Sequence, residues 1–528
     1  MGRHKLFVFL QGDVDAIKTY VFEAPGLPQI RGGSQRLVEC EKDVQDLVEK
    51  QGGETIYCSG GGFLFKVPAE RARKIKREIE RIYLDHTLIA TVTVVYERVT
   101  EPPPPAPNIA DGWAGRLVKA HQQAQQAGKF ARRTAFLAAR LREAKQQQEA
   151  APFIEAFPFG KRCDICGRRV AEEKVSYPDE TKRVCSVCYQ RHETGRRERG
   201  VWFERFVKAL KLNLEPNVPQ DLGDLVQGTR RSYVAFVYAD GNNIGGLLQR
   251  VKKQQEYQAL SDSLREGTER ALFEALWEVC RPALEEKERA WPFEIINVGG
   301  DDVTFLIQAG YAWEVALTFL KKFEQYVQWN GRSITASVGI AIADVKYPVF
   351  YLEALASDLL KRAKKEAREA RTGAIDFLWL PNATAVTQAE MVADLYRRGD
   401  LMLTARPYTL AQAQKLQEVV TVLSQWPRSL RHRWGEALDR GKWSSLGLIL
   451  YDLARRMSEK REEVDEWLDT FRELTRSLGS STEVPMGYLW WEDREKDRVV
   501  WRTALLDALE LAELRAMRPD VQEEEEAA

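Results

Sequence analysis

The chain has 528 residues and carries 78 basic and 78 acidic side chains, so its formal charge is balanced. This length is enough for three or four domains that each bury a core. The charge balance excludes a global field that would draw the chain to nucleic acid or to a membrane, and no apolar run is long enough for a signal peptide or a membrane span. We therefore expect a cytoplasmic protein without membrane association.

The first 100 residues alternate strand and helix patterns in the order βαββαβ, the ferredoxin-like arrangement. A strand over 5–11 ends in Gly12-Asp13-Val14-Asp15, and a helix is predicted to open at Ile30-Arg31-Gly32-Gly33-Ser34 and to continue to about Lys50. Strands near 55–58 and 63–67 flank a turn of three glycines, and a helix over 68–84 and a strand over 88–97 complete the pattern. The turn consists of Gly60, Gly61 and Gly62.

A stiff proline-rich connector, Pro102 to Pro107, precedes a stretch with the composition of one or two polar helices, from Gly112 to about Ala151. Basic residues outnumber acidic ones there. They are either an ordinary solvated helix face or a surface that contacts the phosphate backbone of RNA, and the sequence leaves both open. The basic residues are Arg116, Lys119, Lys129, Arg132, Arg133, Arg140, Arg142 and Lys145.

Four of the seven cysteines form two Cys-x-x-Cys pairs, Cys163 with Cys166 and Cys185 with Cys188, separated by 18 residues. This spacing is typical of a closed, tetrahedral zinc site whose ion stabilises a knuckle and does not catalyse. Two disulfides are the alternative, disfavoured because disulfides are rare in cytoplasmic proteins.

A second ferredoxin-like domain is predicted from Ser232 to about Leu380. Its first strand ends in Asp240-Gly241-Asn242-Asn243, a carboxylate followed by a turn whose backbone N–H groups face a phosphate. A hairpin pattern follows over Ile295 to Ile307, with Gly299-Gly300-Asp301-Asp302 at its tip. Two adjacent carboxylates alone favour a solvated surface turn, but a further carboxylate at a strand end favours a pair of divalent metal ions that position phosphates.

The two domains form an internal repeat. Aligning 56–65 with 296–305 places Gly61 and Gly62 opposite Asp301 and Asp302, and Asp13 near the position of Asp240. The first domain therefore keeps the open glycine turn without carboxylates in it. We expect it to bind a nucleotide but not to catalyse.

After the hairpin, a strand over 333–342 contains Ser337, and a basic helix runs from Tyr351 to Arg371. Lys361, Lys364 and Lys365 share one face of this helix, which is either a solvated face or the surface that binds a triphosphate. Residues 388–528 have helical periodicity and carry no recognisable chemistry, so we interpret them as a helical packing and assembly domain.

These motifs, in this order, resemble the large polymerase-cyclase subunit of type III CRISPR effector complexes (the Csm/Cmr large-subunit family). The resemblance implies an α+β chain with two ferredoxin-like palm domains, a zinc-knuckle insertion and a C-terminal helical domain. The corresponding boundaries are 1–100 for the degenerate palm, 108–225 for the linker with the zinc element, 230–382 for the catalytic palm and 388–528 for the helical domain.

The resemblance also implies a prokaryotic, cytoplasmic enzyme that joins ATP 3′ to 5′ into cyclic oligoadenylate, a second messenger in antiviral defence. Its partners would be other effector subunits, guide RNA and target RNA. Asp240, Asp301 and Asp302 would hold two Mg²⁺ or Mn²⁺ ions. The nucleotide-binding positions carried over are Gly299, Gly300, Gly241, Asn242, Asn243, Ser337, Lys361 and Lys364 for the catalytic palm, and Ser34, Gly60, Gly61 and Gly62 for the first palm.

Many members of this family begin with an HD-type nuclease domain. This chain has no His-Asp dipeptide and only five histidines, so we expect no DNase activity. Two alternatives to the cyclase remain: a non-catalytic scaffold subunit of the same complex, and a stand-alone diguanylate-cyclase-like enzyme acting on GTP. The first is disfavoured by the intact carboxylates, and the second by two unequal palms in one chain.

Overall fold

The computed structural model describes residues 6–97, 130–147, 159–177, 180–382, 395–479, 489–495 and 498–519. The described chain forms two compact units. The first contains residues 1–202, 243–268 and 296–302, and the second contains residues 203–242, 269–295 and 303–528. The proline-rich connector and the basic residues Arg116, Lys119 and Lys129 lie outside the described residues.

The first palm has four strands, β1 (Phe7–Val14), β2 (Glu54–Ser59), β3 (Gly62–Pro68) and β4 (Val92–Tyr96). They are ordered β2-β3-β1-β4, and β1 is antiparallel to both β3 and β4. This is the strand order of a ferredoxin-like fold, so the predicted arrangement is confirmed. The helices are α1 (Ile17–Phe22), α2 (Leu27–Lys50) and α3 (Ala72–Thr87).

Helix α2 differs from the prediction at its start. It begins at Leu27, after Gly26, with Pro28 in its first turn, where the missing N–H of proline costs nothing. Gly32, Gly33 and Ser34 therefore lie inside the helix and not at its opening.

Helix α4 (Phe130–Gln147) packs on β1 and β4, so it covers one face of the first palm. Arg133 forms an ion pair with Glu97 and lies over the Phe9 ring, 4.2 Å from its centroid. The described part of the basic stretch thus uses some of its cations within the protein. Arg142, in contrast, is exposed.

The cysteine element consists of β5 (Glu173–Ser176), β6 (Thr181–Val184) and α5 (Ser186–Arg197). Helices α2 and α5 cross at two glycines. A Cβ on Gly32 would lie 1.8 Å from the Arg191 carbonyl oxygen, and a Cβ on Gly195 would lie 1.8 Å from that of Pro28. Only glycine permits so close an approach of two backbones, so this crossing fixes the element on α2.

The second palm begins after α6 (Val201–Leu210). Its strands are β7 (Tyr233–Gly241), β8 (Phe293–Gly299), β9 (Asp302–Gln308), β10 (Gln328–Trp329), β11 (Arg332–Ser333), β12 (Ala336–Asp344), β13 (Ala374–Trp379) and β16 (Tyr408–Thr409). The sheet order is β16-β13-β12-β7-β9-β8, and its part β8-β9-β7-β12 repeats the order β2-β3-β1-β4 of the first palm, which confirms the internal repeat in the fold. Its helices are α7 (Ile244–Leu248), α8 (Gln254–Glu285), α9 (Ala309–Tyr326) and α10 (Val349–Ala370).

The C-terminal region is mainly helical, as predicted, but it also contains a small sheet, ordered β14-β15-β18-β17. The sequence analysis interpreted all of 388–528 as helical and missed this sheet, because two of its strands have only two residues and leave no periodic pattern. The helices are α11 (Leu410–Ser424), α12 (Arg428–Leu438), α13 (Lys442–Met457), α14 (Arg461–Ser477) and α15 (Leu505–Arg515), and the strands are β14 (Arg397–Arg398), β15 (Leu401–Met402), β17 (Trp491–Glu495) and β18 (Arg498–Arg502). Within the described residues, no helix is both long and apolar enough to cross a membrane.

Candidate active site

The Gly-Gly-Asp-Asp turn lies between β8 and β9, as the hairpin pattern predicts. Gly300 has a φ of +67°, a conformation that suits glycine. Asp301 and Asp302 are both partly exposed, and the Asp302 carboxylate accepts a 3.4 Å hydrogen bond from the Asn297 side chain. Both carboxylates are therefore partly accessible to a ligand.

A cavity of about 600 Å³ opens beside this turn, within the first unit. This volume is in the range of small-molecule binding pockets. The cavity combines carboxylates, hydroxyls and aromatic rings with glycines that leave the backbone accessible. Its lining includes Gly12, Asp13, Tyr57, Ser59, Gly62, Tyr257, Arg265, Gly300 and Asp301.

In the second unit, Asp240 lies near the end of β7 and forms an ion pair with Lys364 on α10, with 2.6 Å between Oδ2 and Nζ. Lys364 also donates to the Gly241 carbonyl oxygen at 3.3 Å. Asn242 donates its amide to the Thr335 hydroxyl at 2.9 Å and accepts a 2.8 Å hydrogen bond from Ser337. Four predicted site residues thus form two hydrogen-bonded pairs at the end of β7, Asp240 with Lys364 and Asn242 with Ser337.

The first palm repeats this arrangement. Asp13 lies near the end of β1 and forms an ion pair with Lys145 on α4, 2.6 Å apart, as Asp240 does with Lys364. Thr93 on β4 donates to Asp15 at 2.8 Å, as Ser337 on β12 donates to Asn242. The first palm therefore keeps the strand-end carboxylate and its ammonium partner, and it differs from the second palm at the turn.

The glycine turn of the first palm is narrow. Gly60 and Gly61 have φ angles of +63° and +81°, and a Cβ on Gly61 would lie 2.3 Å from Ile17 Cδ1. A Cβ on Gly62 would lie 2.8 Å from the Tyr57 hydroxyl. Side chains at these two positions would therefore require Ile17 and Tyr57 to move, and position 61 would also need a φ that L residues rarely adopt.

Two polar side chains support the glycine turn. Glu41 on α2 accepts a 2.6 Å hydrogen bond from the Gly61 N–H, and burial raises the pKa of its carboxyl to about 7. Tyr57 donates to the Ser59 carbonyl oxygen at 2.7 Å. Burial, with smaller effects from Tyr257, Glu41 and Asp301, raises the pKa of Tyr57 well above its ordinary value, so its hydroxyl stays protonated.

Three other predicted site residues have environments that the sequence did not reveal. Ser34 is only 7% exposed, and its hydroxyl donates to the Ile296 carbonyl oxygen at 2.6 Å. Lys361 is exposed and forms an ion pair with Asp358 one turn earlier on α10, at 2.8 Å. Asn243, in the first unit, adopts a φ of 57° just before α7 and is exposed.

The four cysteines Cys163, Cys166, Cys185 and Cys188 come together as predicted. Their sulfur atoms all lie within 4.8 Å of one another, and they are free thiols and not disulfides. Among the residues that the structure describes, this is the one group of three or more Cys, His, Asp or Glu residues so closely placed. Four converging thiols fit a tetrahedral zinc ion.

The sequence missed Lys145, Glu41 and Tyr57. A signal existed for Lys145, because α4 and α10 each follow the fourth strand of a palm and each carry a lysine that reaches the strand-end carboxylate. Glu41 and Tyr57 gave no such signal, because their roles depend on contacts between elements distant in sequence.

The chain thus contains two palm folds, and the second of them carries the Gly-Gly-Asp-Asp turn. Residues 233–372 match the family model described as Cas10/Cmr2, second palm domain. The second palm is thus a Cas10/Cmr2 palm, and the predicted resemblance to the type III CRISPR large subunit is confirmed.

Solved structures show the same fold at low sequence identity. A Csm1–Csm4 cassette in complex with cA4 is 14% identical, with a TM-score of 0.54, and the match covers 97% of this chain and 70% of that chain. The cassette in complex with pppApA is 13% identical, with a TM-score of 0.52, and 97% and 69% are covered. Csm1 from T. onnurineus is 15% identical, with a TM-score of 0.51, and 98% and 70% are covered.

The match to the apo Csm1–Csm4 cassette, 15% identical with a TM-score of 0.43, covers 69% of this chain and 53% of that chain. This chain therefore spans about half of the length of that relative. No curated protein matches the chain.

Proposed function

We propose that the chain is a cyclic oligoadenylate synthase, which joins ATP molecules by 3′–5′ bonds within a type III CRISPR effector complex. The observation that carries the proposal is the Asp301–Asp302 turn, which belongs to a Cas10/Cmr2 palm and lies beside a cavity of about 600 Å³. Solved relatives of the same fold are described as complexes with pppApA and with cA4, which supports adenylate chains as the product.

In this proposal, Asp240, Asp301 and Asp302 bind two divalent metal ions. Their carboxylate oxygens are the donors that Mg²⁺ and Mn²⁺ prefer, and Asp301 lines the cavity. Bound there, the ions would neutralise the charge that develops on the phosphates during attack by a 3′ hydroxyl. Few protein ligands suffice, because Mg²⁺ sites usually include phosphate oxygens and water.

The remaining residues position the nucleotides. Gly299 and Gly300 leave room for phosphates to approach the backbone, as do Gly60, Gly61 and Gly62 in the first palm. Gly241, Asn242, Asn243 and Ser337 line the catalytic nucleotide. Lys364 already neutralises Asp240, so it orients this carboxylate and can contact a phosphate when one is present.

We further propose that the four cysteines hold a structural zinc ion, and that the chain works with other effector subunits, guide RNA and target RNA. The matches to cassettes that pair Csm1 with Csm4 support a partner subunit. A closed four-thiolate site leaves no open position for a substrate, so zinc would stabilise the element.

The test is synthesis from each labelled NTP by the purified chain with Mg²⁺ or Mn²⁺, with and without guide complex and target RNA. We expect cyclic products from ATP. Asp301→Ala with Asp302→Ala should reduce the rate by roughly a thousandfold, because the charge of the metals is lost with their ligands. Asp465→Ala with Asp469→Ala, which removes two exposed carboxylates from α14, is the matched control and should keep the rate.

Products from GTP alone would support the stand-alone cyclase instead. If the full complex makes no product, the non-catalytic scaffold subunit becomes the better interpretation and the proposal is contradicted.

A further inference from the structure

Helix α2 contacts, through one face, the glycine hairpin of the first palm and strand β8, which leads into the Gly-Gly-Asp-Asp turn. Ser34, Glu41 and Gln45 are separated by seven and four residues, so they lie on the same side of the helix. Ser34 donates to the Ile296 carbonyl oxygen at 2.6 Å, Glu41 accepts from the Gly61 N–H at 2.6 Å, and Gln45 donates to the Cys58 carbonyl oxygen at 3.4 Å. One helix therefore holds both the glycine hairpin of the first palm and the strand that leads into the catalytic turn.

The two glycine turns also touch each other. A Cβ on Gly60 would lie 3.2 Å from the Gly299 carbonyl oxygen, and a Cβ on Gly299 would lie 2.7 Å from Gly60 Cα. The same Cβ on Gly299 would be 2.9 Å from the Asp302 carboxylate. A displacement of either turn would thus disturb the packing of the other turn and the position of the Asp302 carboxylate.

The helix is held on other sides as well. Its crossing with α5 at Gly32 and Gly195 leaves no space between the backbones. Arg36 donates to the Thr194 hydroxyl at 3.1 Å and to the Gln190 side chain at 2.8 Å. Because α2 is fixed by the cysteine element, its polar face is a rigid support for the turns.

We propose that Ser34 and Glu41 are positioning residues, which set the place of Asp301 and Asp302 relative to the glycine turn of the first palm. This inference rests on the proposed function and differs from the expectation that Ser34 binds ATP. The Ser34 hydroxyl is buried and gives its only hydrogen to a backbone carbonyl, so it has no donor left for a nucleotide in this arrangement. Ile296 lies on β8, so its carbonyl anchors the strand that leads into the catalytic turn.

The experiment compares Ser34→Ala with Ser424→Ala, in which the lost hydroxyl donates only to the Val420 carbonyl oxygen four residues earlier in α11. Hydrogen exchange of peptides covering 294–304 needs no activity. It should be about tenfold faster in Ser34→Ala, because a buried hydrogen bond is lost from the strand that supports the turn, and unchanged in Ser424→Ala. Unchanged exchange in both variants would overturn the inference, whether or not the chain makes a cyclic product.

Kinetics separate positioning from nucleotide binding. A misplaced metal site lowers kcat, so Ser34→Ala should reduce kcat about tenfold with little change in the KM for ATP. A raised KM at constant kcat would instead make Ser34 a nucleotide ligand and overturn the inference. Glu41→Gln keeps an acceptor for the Gly61 N–H and should retain wild-type exchange over 58–64, whereas Glu41→Ala should accelerate it. Equal hydrogen-exchange rates in these two variants would show that Glu41 is not a positioning residue.

Discussion

At the scale of single residues, the lysines of α10 show how position decides function. Lys361 and Lys364 are three residues apart and were predicted to act alike. Lys361 is 73% exposed and pairs with a neighbour on its own helix, whereas Lys364 reaches the carboxylate of Asp240 on β7. Exposed ion pairs within a helix contribute little, but a cation at a strand-end carboxylate orients a proposed metal ligand.

We therefore predict unequal effects of removing the two lysines. Lys364→Ala should reduce synthesis by about 10- to 100-fold, because Asp240 loses the group that orients it and the phosphates lose a countercharge. Lys361→Ala, the matched control, should change the rate less than about threefold. The rates are measured at saturating ATP and metal. Equal losses in both variants would favour the shared-face interpretation, in which the lysines bind a triphosphate tail together.

At the scale of elements, a buried ionic network joins β13 to α15 in the second unit. The Arg406 side chain is fully buried; its guanidinium lies 3.0 Å from the Asp507 carboxylate and donates to the Phe377 carbonyl oxygen at 2.6 Å. Burial raises the pKa of Asp376 to about 6, although Arg362 and Arg406 lower it, and raises that of Glu510 to about 7, although Arg406 lowers it. The network thus contains carboxyls that gain protons near neutral pH.

The pH dependence of this network has a definite sign. The pKa values of Asp376 and Glu510 are higher in the folded chain than their ordinary values of 3.8 and 4.5, so the folded state retains protons that the unfolded state has released. Their contribution to the free energy of unfolding therefore falls as the pH rises from about 4 to about 7.

Replacing Arg406 should make the free energy of unfolding depend more strongly on the protonation of this network. Arg406→Met should lower the free energy of unfolding by about 3–5 kcal/mol at pH 8, because it leaves the buried carboxylates of Asp507 and Glu510 without their cation. The loss should be smaller at pH 5, where Glu510 is protonated. Arg398→Met, which breaks the exposed pair with Asp439, should cost less than about 1 kcal/mol. Denaturant unfolding at both pH values measures this, and a loss independent of pH would contradict it.

The cysteine element gives a second prediction at this scale. Cys163→Ser with Cys166→Ser should abolish the binding of one zinc ion per chain and lower the Tm, because metal binding and folding of such an element are coupled. Cys280→Ser replaces a buried cysteine outside the cluster and should keep the zinc. Metal analysis and thermal unfolding of the purified proteins provide the measurement. Wild-type protein without zinc, and a double variant with an unchanged Tm, would exclude a structural metal.

At the scale of the whole molecule, the sequence predicted the repeat, the strand order of each palm and the four-cysteine cluster, because glycine turns, strand patterns and paired cysteines are local signals. It did not predict that Ser34 supports β8 or that Glu41 supports the glycine turn. Nor did it predict the network around Arg406. These features depend on partners 20 to more than 260 residues away, and no periodicity encodes such contacts.

The repeat raises the question of whether the palms are interchangeable. The first palm retains Asp13, Lys145 and the hydrogen bond from Thr93 to Asp15, so it lacks only the carboxylates of the turn. If those were the whole difference, Gly61→Asp with Gly62→Asp would create a second catalytic turn. The packing around the turn argues against this.

We predict that Gly61→Asp with Gly62→Asp will not restore synthesis in the Asp301→Ala/Asp302→Ala background, where activity should stay roughly a thousandfold below wild type. A Cβ at position 61 meets Ile17 at 2.3 Å, and the φ of +81° disfavours any side chain. Glu41 already accepts the Gly61 N–H, so a further carboxylate on this turn would add negative charge close to it. In the wild-type background the same pair of changes should raise the KM for ATP or block binding of the second nucleotide, because the added side chains disturb the part of the cavity that the first palm lines. Gly52→Asp is the control, since Gly52 also has a positive φ, of +79°, but no atom lies within 4 Å of an added Cβ, so ATP binding should persist. Synthesis by the fourfold variant at a rate near that of the wild type would mean that either palm can catalyse, and the asymmetric assignment would then be wrong.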